Sequence, residues 1–242
     1  MTDTSRLERE RAFHDARFGD AMIRDAQDAY YVAIKHGRAA YEARLEELAR
    51  GADALEVGCG TGGQAAGLLG AAVSVRGIDV SPVAVAAARA RGVAASEGDA
   101  EATGLLGASV DLLFGAGIVH HLDVGRFAAE AARLLRPGGT ALFWEPLGHN
   151  LAIGAYRRAT PAARTADEHP LLRRDLRALE GAIGPARLRF YGFATLPGLV
   201  LPEGRARRAG LAAGRALDAG LLRVPGLRYQ AWYGLAEFTR RG

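Results

Sequence analysis

The sequence predicts an α/β fold in which helices cover both faces of a parallel sheet. Apolar runs of strand length alternate with helix-length segments from residue 53 to about residue 145. Strands that alternate with helices are joined by crossover connections, which make neighbouring strands parallel. In addition, four of the six residues 58–63 are glycines, which indicates a tight turn between the first strand and the first helix of this region.

The first half of this region contains three short apolar runs that we interpret as strands. They are Ala54–Val57, Val73–Ile78 and Val93–Glu97. The glycine-rich turn leads into a helical segment, Gln64–Leu69. A second helix is expected at Val83–Arg91, because Ser81 and Pro82 are typical of a helix cap and first turn. Gly92 then ends this helix.

The second half continues the alternation and extends it towards the end of the chain. Asp123 is expected to cap a helix at Val124–Leu135, and Pro137 with the two glycines after it is expected to end that helix. Residues 147–183 are predicted to form two helices, and residues 203–222 one amphipathic helix. The remaining predicted strands are Val110–Gly115, Thr140–Trp144, Arg187–Phe193 and Gln230–Thr239.

Composition limits the classes of protein to which the chain can belong. Hydrophobic residues make up 49% of the 242 residues, enough for a sizeable core. The single cysteine, Cys59, excludes an internal disulfide and a cysteine zinc cluster. No apolar run approaches the ~18–20 residues of a membrane span, and the N-terminal residues do not resemble a signal peptide. The sequence therefore predicts a cytoplasmic protein without stable membrane insertion.

Charge is unevenly distributed along the chain. Residues 1–150 carry 15 Lys and Arg against 20 Asp and Glu, whereas residues 151–242 carry 16 Arg against 7 Asp and Glu. A basic C-terminal part could attract an acidic substrate, an anionic membrane surface or a nucleic acid. Compositional bias is the alternative, since arginine is abundant and Lys35 is the only lysine. No recognition module or interleaved basic and aromatic pattern supports nucleic-acid binding, so none is predicted.

The glycine-rich turn carries the strongest functional signal, in the stretch Glu56-Val57-Gly58-Cys59-Gly60-Thr61-Gly62-Gly63. Such a turn lets the backbone approach a ligand closely. Asp79 ends the next strand, 17 positions after Gly62, near the ~20-residue spacing of a ribose-binding carboxylate. Gly58, Gly60 and Gly63 match the dinucleotide pattern G-x-G-x-x-G, which alone is weak evidence.

Two acidic residues favour a different nucleoside cofactor, S-adenosylmethionine. Glu56 precedes the first glycine by two positions. A carboxylate there would repel a pyrophosphate, but it suits the cationic amino group of S-adenosylmethionine. Asp99 follows the third strand, where it can accept a hydrogen bond from the adenine amino group. Gly58, Gly60 and Gly62 also match the pattern G-x-G-x-G.

With these residues the chain resembles class I S-adenosylmethionine-dependent methyltransferases, in particular the broad group that acts on small molecules. Five matching stretches lie in the expected order across roughly residues 50–146, namely Glu56–Gly62, Gly77–Ser81, Gly98–Glu101, His120–Leu122 and Leu135–Gly139. The resemblance implies a Rossmann-like sheet of seven strands, the last antiparallel, with helical N-terminal and C-terminal caps. It also implies methyl transfer from S-adenosylmethionine to a small-molecule acceptor, which the sequence does not identify.

The resemblance also divides the chain and assigns residues to the cofactor site. Residues 1–50 form an N-terminal helical cap, residues 51–146 the cofactor-binding core, and residues 147–242 cap helices and the end of the sheet, all within one compact domain. The family places the N-terminal segment over the cofactor, although core packing is an equal alternative for Tyr30 and Tyr31. The predicted cofactor-binding residues are Tyr31, Glu56, Gly58, Gly60, Gly62, Asp79, Val80, Asp99, Ala100 and Gly117.

Side chains after the fourth and fifth strands are the candidate catalytic residues. His120, Glu145 and His149 follow strands whose carboxyl ends border the ligand crevice of an open sheet. A histidine there could take a proton from the acceptor. The alternatives are packing beside the cofactor for His120, and capping or loop hydrogen bonds for Glu145 and His149. The acid–histidine group at residues 167–169 could orient the acceptor, and no metal site is predicted.

Rival functions stay open at this point. A nicotinamide-dependent oxidoreductase could use the same glycine turn, but it would leave Glu56 and Asp99 unexplained. A non-methylating enzyme such as a cyclase would keep the whole cofactor site, because a fold does not fix a function. Gly115–Val119 does not resemble the Asn/Asp-Pro-Pro-aromatic signature of methyltransferases that act on nucleobase or glutamine amino groups.

Overall fold

The computed structural model describes residues 6, 8–9, 11–12, 31–160 and 168–242. Its strands are β1 Asp53–Val57, β2 Ser74–Asp79, β3 Ala94–Glu97, β4 Val110–Ala116, β5 Leu135–Pro146, β6 Ala186–Tyr191 and β7 Tyr233–Thr239. Its helices are α1 Lys35–Ala49, α2 Gly63–Gly67, α3 Pro82–Ala90, α4 Val124–Leu134, α5 Leu151–Ala159, α6 Arg173–Ala182 and α7 Arg205–Leu221.

The strands form one seven-stranded sheet in the order β3-β2-β1-β4-β5-β7-β6. Strands β1 to β5 are parallel, and β7 lies antiparallel between β5 and β6. The chain order reverses at β1 and β4, whose carboxyl ends therefore border a crevice where ligands bind in open α/β sheets. The predicted mostly parallel, Rossmann-like sheet with its last strand antiparallel is confirmed.

Two hydrophobic cores lie on opposite faces of the sheet, because successive strand residues point to opposite sides. Leu112 and Phe114 of β4 pack with α1, α2 and α3 on one face. Leu113 packs with α4 and α6 on the other face. Helix α1 buries Gly37, Tyr41, Leu45 and Ala49, which recur every four residues and form one stripe.

Some predicted boundaries are wrong, and tertiary contacts explain the differences. β5 begins at Leu135 rather than Thr140, because Val110 pairs with Leu135 and Leu112 with Thr140, and the intervening residues form an irregular bulge. The last strand begins at Tyr233 because residues 227–230 form a 3-10 turn. The α2 helix is also shorter than predicted and ends at Gly67. Within the described residues, no helix is both long and apolar enough to cross a membrane.

Candidate active site

The glycine-rich turn joins β1 to α2 at the crevice. Gly58, Gly60 and Gly62 have φ angles of +61°, +51° and +74°, a region that other residues rarely adopt. A Cβ atom on Gly58 would also lie 2.6 Å from the side chain of Ile118. Glycine at this position therefore lets the turn pack against the segment after β4 and leaves its backbone facing the crevice.

Asp79 ends β2 directly beside this turn. One carboxylate oxygen, Oδ2, accepts a hydrogen bond from the backbone N–H of Gly60 at 2.8 Å. The other, Oδ1, accepts one from the N–H of Ser81 at 2.9 Å. The carboxylate is therefore held in a fixed position between the glycine turn and the start of α3, and each oxygen retains capacity to accept a hydroxyl group.

A cavity of about 210 Å³ opens along these elements, and we call it the cofactor cavity. Predicted cofactor residues that line it are Gly58, Gly60, Asp79, Val80, Ala100 and Gly117. Ile78, Ile118 and Leu122 supply apolar walls, and Arg6 reaches it from the N-terminal segment. An acid beside a backbone turn suits ribose hydroxyls, and flat apolar walls suit a purine ring. The Asp79 carboxylate, the apolar walls and the glycine turn thus fit an adenosyl group.

Asp99 and Gly62 lie next to this cavity rather than among its lining residues. The Oδ1 atom of Asp99 accepts a hydrogen bond from the N–H of Glu101 at 2.8 Å and so shapes the turn after β3. Its neighbours Gly98 and Ala100 do line the cavity. Gly62 is the left-handed residue that starts α2. Both residues therefore support the shape of the site.

Glu56 lies at the base of the glycine turn, where it is only 1% exposed. Its Oε2 accepts the N–H of Ala65, and its Oε1 accepts the side-chain amide of Gln64, both at 3.0 Å. Burial raises the pKa of Glu56 to about 8, although these hydrogen bonds and the charge of Arg38 oppose the change. Glu56 thus links β1 to α2 and borders a second, open cavity shared with Gly58 and Arg38.

A larger cavity of about 640 Å³ adjoins the cofactor cavity, and we call it the aromatic cavity. The two cavities share Ala116 and Gly117, at the end of β4. The predicted residue Tyr31 lines the aromatic cavity rather than the cofactor cavity. The lining residues are Tyr31, Val32, Ile34, Lys35, Arg38, Ala116, Gly117, Trp144 and Tyr233. The partner tyrosine of the sequence prediction, Tyr30, lies outside the described residues.

His120 and Glu145 form a buried pair beside the shared wall. Nδ1 of His120 lies 2.8 Å from Oε2 of Glu145. The other oxygen of Glu145 accepts the N–H groups of Ile118 and Val119 at 2.9 and 3.0 Å. A Cβ atom on Gly117 would lie 3.9 Å from Cε1 of His120. Because an ionised carboxylate only accepts hydrogen bonds, Nδ1–H of His120 is the donor in this contact, and Nε2 is the remaining ring nitrogen.

His149 forms no hydrogen bond with either of these two described residues and makes a different hydrogen bond. Its Nε2 accepts the backbone N–H of Arg173 at 3.0 Å, which caps the start of α6. Its ring meets that of Tyr229 edge to face, with 6.0 Å between the centroids. Neither His149 nor His120 is among the lining residues of the cofactor cavity or the aromatic cavity, whereas His121 lines the cofactor cavity. The structure therefore brings His120 and Glu145 together, and it gives His149 the capping role that was the alternative interpretation.

Glu168 joins the two adjacent histidines. Ligand atoms of His120, His121 and Glu168 lie within 4.8 Å of one another, close enough for these three residues to hold a metal ion. Glu168 also pairs with Arg157, whose Nη2 lies 2.6 Å from Oε1. The backbone N–H of His169 donates to the carbonyl of His120 at 2.8 Å. This cap segment therefore braces the turn after β4, while Asp167 lies outside the described residues.

Sequence reasoning missed most of the aromatic cavity. Trp144 and Tyr233 stack with 4.9 Å between ring centroids, and the Tyr31 hydroxyl lies 3.4 Å from that of Tyr233. Lys35 and Arg38 complete the wall from α1. One signal was available in the sequence, since the only lysine lies three positions from an arginine on the helix before β1. The position of the aromatic residues depends on strand pairing and carried no such signal.

Comparison with known proteins agrees with this geometry. A family described as "Methyltransferase domain" matches residues 55–143. A curated protein of Mycolicibacterium smegmatis, whose name describes an S-adenosylmethionine-dependent methyltransferase, is 38% identical over 106 residues. That match covers 43% of this chain and 41% of the relative, so the chain matches less than half the length of that protein.

Solved structures share the fold. A SAM-dependent methyltransferase from Thermotoga maritima superposes with a TM-score of 0.62 at 16% identity, covering 90% of this chain and 95% of that one. Geranyl diphosphate C-methyltransferase from Streptomyces coelicolor gives 0.61 at 17% identity, covering 85% and 79%. The five motifs, the sheet order and the matched family agree with one another. Residues 55–143 therefore match the methyltransferase domain family, and the chain as a whole shares the fold of solved S-adenosylmethionine-dependent methyltransferases.

Proposed function

We propose that this protein transfers a methyl group from S-adenosylmethionine to a small-molecule acceptor. The observation that carries the proposal is the wall of Ala116 and Gly117, which the cofactor cavity and the aromatic cavity share. Because these two residues line both cavities, a group bound in one cavity lies next to a group bound in the other at this point. When bound, the cofactor supplies an electrophilic sulfonium methyl, and the protein supplies position and exclusion of water.

On the cofactor side of the site, we propose a role for each of several residues predicted from the sequence to bind the cofactor. Asp79 would accept the ribose hydroxyls, because its carboxylate is fixed at the edge of the cavity. Val80 and Ala100 would border the base, and Asp99 would shape the turn on which it rests. Glu56 would stabilise the cofactor's cationic amino group from the base of the glycine turn.

The acceptor side needs a group that can take a proton when the acceptor is a hydroxyl, an amine or a carbon acid. We assign this role to His120, because its ring lies next to Gly117 in the shared wall and its Nε2 is the ring nitrogen that does not contact Glu145. Glu145 acts as a positioning residue, since it fixes the tautomer and the orientation of that ring. The volume of the aromatic cavity falls in the ~300–1,000 Å³ range of small-ligand sites and supports a small acceptor. The cytoplasmic location stays a prediction from the sequence.

Transfer of a labelled methyl group tests this function. The protein is incubated with S-adenosylmethionine carrying a labelled methyl and with the small-molecule, RNA and protein fractions of a cell extract. We expect label in the small-molecule fraction. His120→Ala should reduce that rate by ~10²–10⁴-fold, the usual contribution of a general base.

His149→Ala is the matched control, because it removes a capping imidazole at a similar point of the next strand. It should lower the melting temperature, since a lost cap costs ~0.5–2 kcal/mol, while the transfer rate is kept. Label that enters RNA or protein instead would refute the small-molecule acceptor. Equal rate losses in the two variants would refute the role of His120.

A further inference from the structure

The aromatic cavity carries positive charge on the wall formed by α1. Lys35 and Arg38 both line it, and a spacing of three residues places them on the same side of the helix. None of the described residues that line this cavity is acidic. A ligand in this cavity therefore meets two cations and no lining carboxylate.

The two cations are not equivalent. Nε of Arg38 donates to Oε1 of Glu42 at 2.7 Å, and Arg38 also borders the open cavity that contains Glu56. Arg38 is thus partly neutralised, and it lines both the aromatic cavity and the open cavity beside Glu56. The side chain of Lys35 has no hydrogen bond or ion pair to any other residue that the structure describes. Of the three cavities described above, Lys35 lines only the aromatic cavity. Lys35 is therefore the positive charge that is available to an acceptor.

A close contact between α1 and β5 fixes the position of this charge. A Cβ atom on Gly37 would lie 2.6 Å from the ring of Trp144 and 2.6 Å from the ring of Tyr191. The helix can approach β5 so closely only because residue 37 has no side chain. This contact fixes the backbone of α1, and with it the start of the exposed Lys35 side chain, relative to Trp144, which lines the same cavity.

The other walls favour a flat ligand. Trp144 and Tyr233 are nearly parallel, with an angle of 22° between their rings, and Tyr31 meets Tyr233 edge to face at 6.1 Å. Burial raises the pKa of Tyr233 well above its usual value, so its phenol stays neutral and adds no negative charge. Aromatic walls of this kind bind planar rings through offset or edge-on contacts.

We infer that the methyl acceptor is an aromatic acid, whose ring lies against Trp144 and Tyr233 and whose anionic group pairs with Lys35. This inference rests on the proposed function, because it names the acceptor class for the same site. It also moves the attraction for an acidic acceptor from the basic C-terminal part of the chain to one lysine of α1. A cationic amine would meet Lys35 and Arg38 with like charge, which disfavours its binding.

Calorimetry with three isosteric or near-isosteric probes tests the inference. The full chain is saturated with S-adenosylhomocysteine and titrated with para-hydroxybenzoate, para-hydroxybenzamide or tyramine. We expect the benzoate to bind at least about tenfold more tightly than the amide, which corresponds to roughly 1.4 kcal/mol. Tyramine should bind most weakly. The preference for the benzoate should decrease as salt is added, because this part of the cavity is open to solvent.

Lys35→Gln should abolish the preference for the benzoate and leave the affinity for S-adenosylhomocysteine unchanged. Arg50→Gln is the matched control, because it removes one positive charge from the end of the same helix, about 22 Å away along its axis. This control should keep the preference.

Four results would overturn the inference while the affinity for S-adenosylhomocysteine is normal in the wild type. They are equal affinity for the three probes, tighter binding of tyramine, no binding of any probe at millimolar concentration, and an unchanged preference in Lys35→Gln. A Lys35→Gln variant that loses S-adenosylhomocysteine instead would assign the lysine to the cofactor and also overturn it. Failure of the wild type to bind S-adenosylhomocysteine would refute the proposed function itself.

Discussion

Glu56 is a buried carboxyl group whose charge depends on what binds beside it. Burial raises its pKa to about 8, so in the free protein it is mostly protonated near neutral pH. A cationic amino group held next to it would favour the ionised form and lower the pKa again. Binding of the cofactor must then release a proton to the solvent. The release should be largest between the lowered and the free pKa and should vanish above the free value.

This release can be measured by titrating the protein with S-adenosylhomocysteine in buffers of different ionisation enthalpy near neutral pH. We expect net proton release in the wild type. Glu56→Gln is the matched variant, since an amide can still accept the N–H of Ala65 but cannot ionise. It should bind without proton release. A wild type that releases no proton would show that Glu56 only links β1 to α2.

Elements defined by local chemistry were predictable from the sequence. The hydroxyl of Ser81 accepts the N–H of Ala84 at 3.1 Å, and Asp123 accepts the N–H of Arg126 at 3.0 Å, so both helix starts are confirmed. Both caps depend only on residues three positions apart. The start of β5 was missed because it depends on register with β4, which a local pattern does not contain.

The close contact of α1 with β5 at Gly37 can be tested by substitution. Gly37→Ala would place a methyl group within 2.6 Å of Trp144, so either the helix or the indole must move. We expect a loss of ~1–3 kcal/mol in the free energy of unfolding, as for other overpacked sites, and weaker binding of para-hydroxybenzoate. Urea unfolding and calorimetry measure the two effects.

Gly67→Ala is the control for that variant. It is also a helical glycine, but a Cβ atom there would meet nothing within 4 Å. Relief of backbone entropy in the unfolded chain should make this change neutral or stabilising by ~0.4–1 kcal/mol. If both variants have the same stability as the wild type, α1 does not depend on close approach at Gly37.

For the whole molecule, the cofactor side of the site was far more predictable than the acceptor side. Gly58 and Asp79 belong to the continuous segment from β1 to β2, so their separation along the chain is enough to predict that they lie close together in the fold. The aromatic cavity combines Lys35, Trp144 and Tyr233, which lie far apart in sequence and meet only because β7 inserts beside β5. For His149, position in the sequence was misleading. Its place after β5 suggested a catalytic role, whereas its Nε2 accepts a hydrogen bond from the backbone N–H of Arg173.

The aromatic cavity is an acceptor site only if the neighbouring cofactor cavity binds an adenosyl sulfonium, so the identity of the cofactor decides the function of the whole molecule. Asp79 can accept ribose hydroxyls of either S-adenosylmethionine or a nicotinamide dinucleotide, whereas Glu56 can ionise to pair with a cationic amino group and offers no such pairing to a pyrophosphate. The two classes of cofactor therefore make opposite predictions for the same binding experiment.

The most direct test is a calorimetric titration of the wild-type chain and Asp79→Ala with S-adenosylmethionine, S-adenosylhomocysteine and NAD. We expect the wild type to bind both adenosyl compounds and to show no comparable binding of NAD. Asp79→Ala should bind S-adenosylhomocysteine about tenfold or more weakly, since unpaired ribose hydroxyls cost ~1–3 kcal/mol. Equal or tighter binding of NAD by the wild type would contradict the assignment of the cofactor cavity to S-adenosylmethionine. Normal affinity for S-adenosylhomocysteine in a folded Asp79→Ala variant would contradict the role of Asp79 in ribose binding.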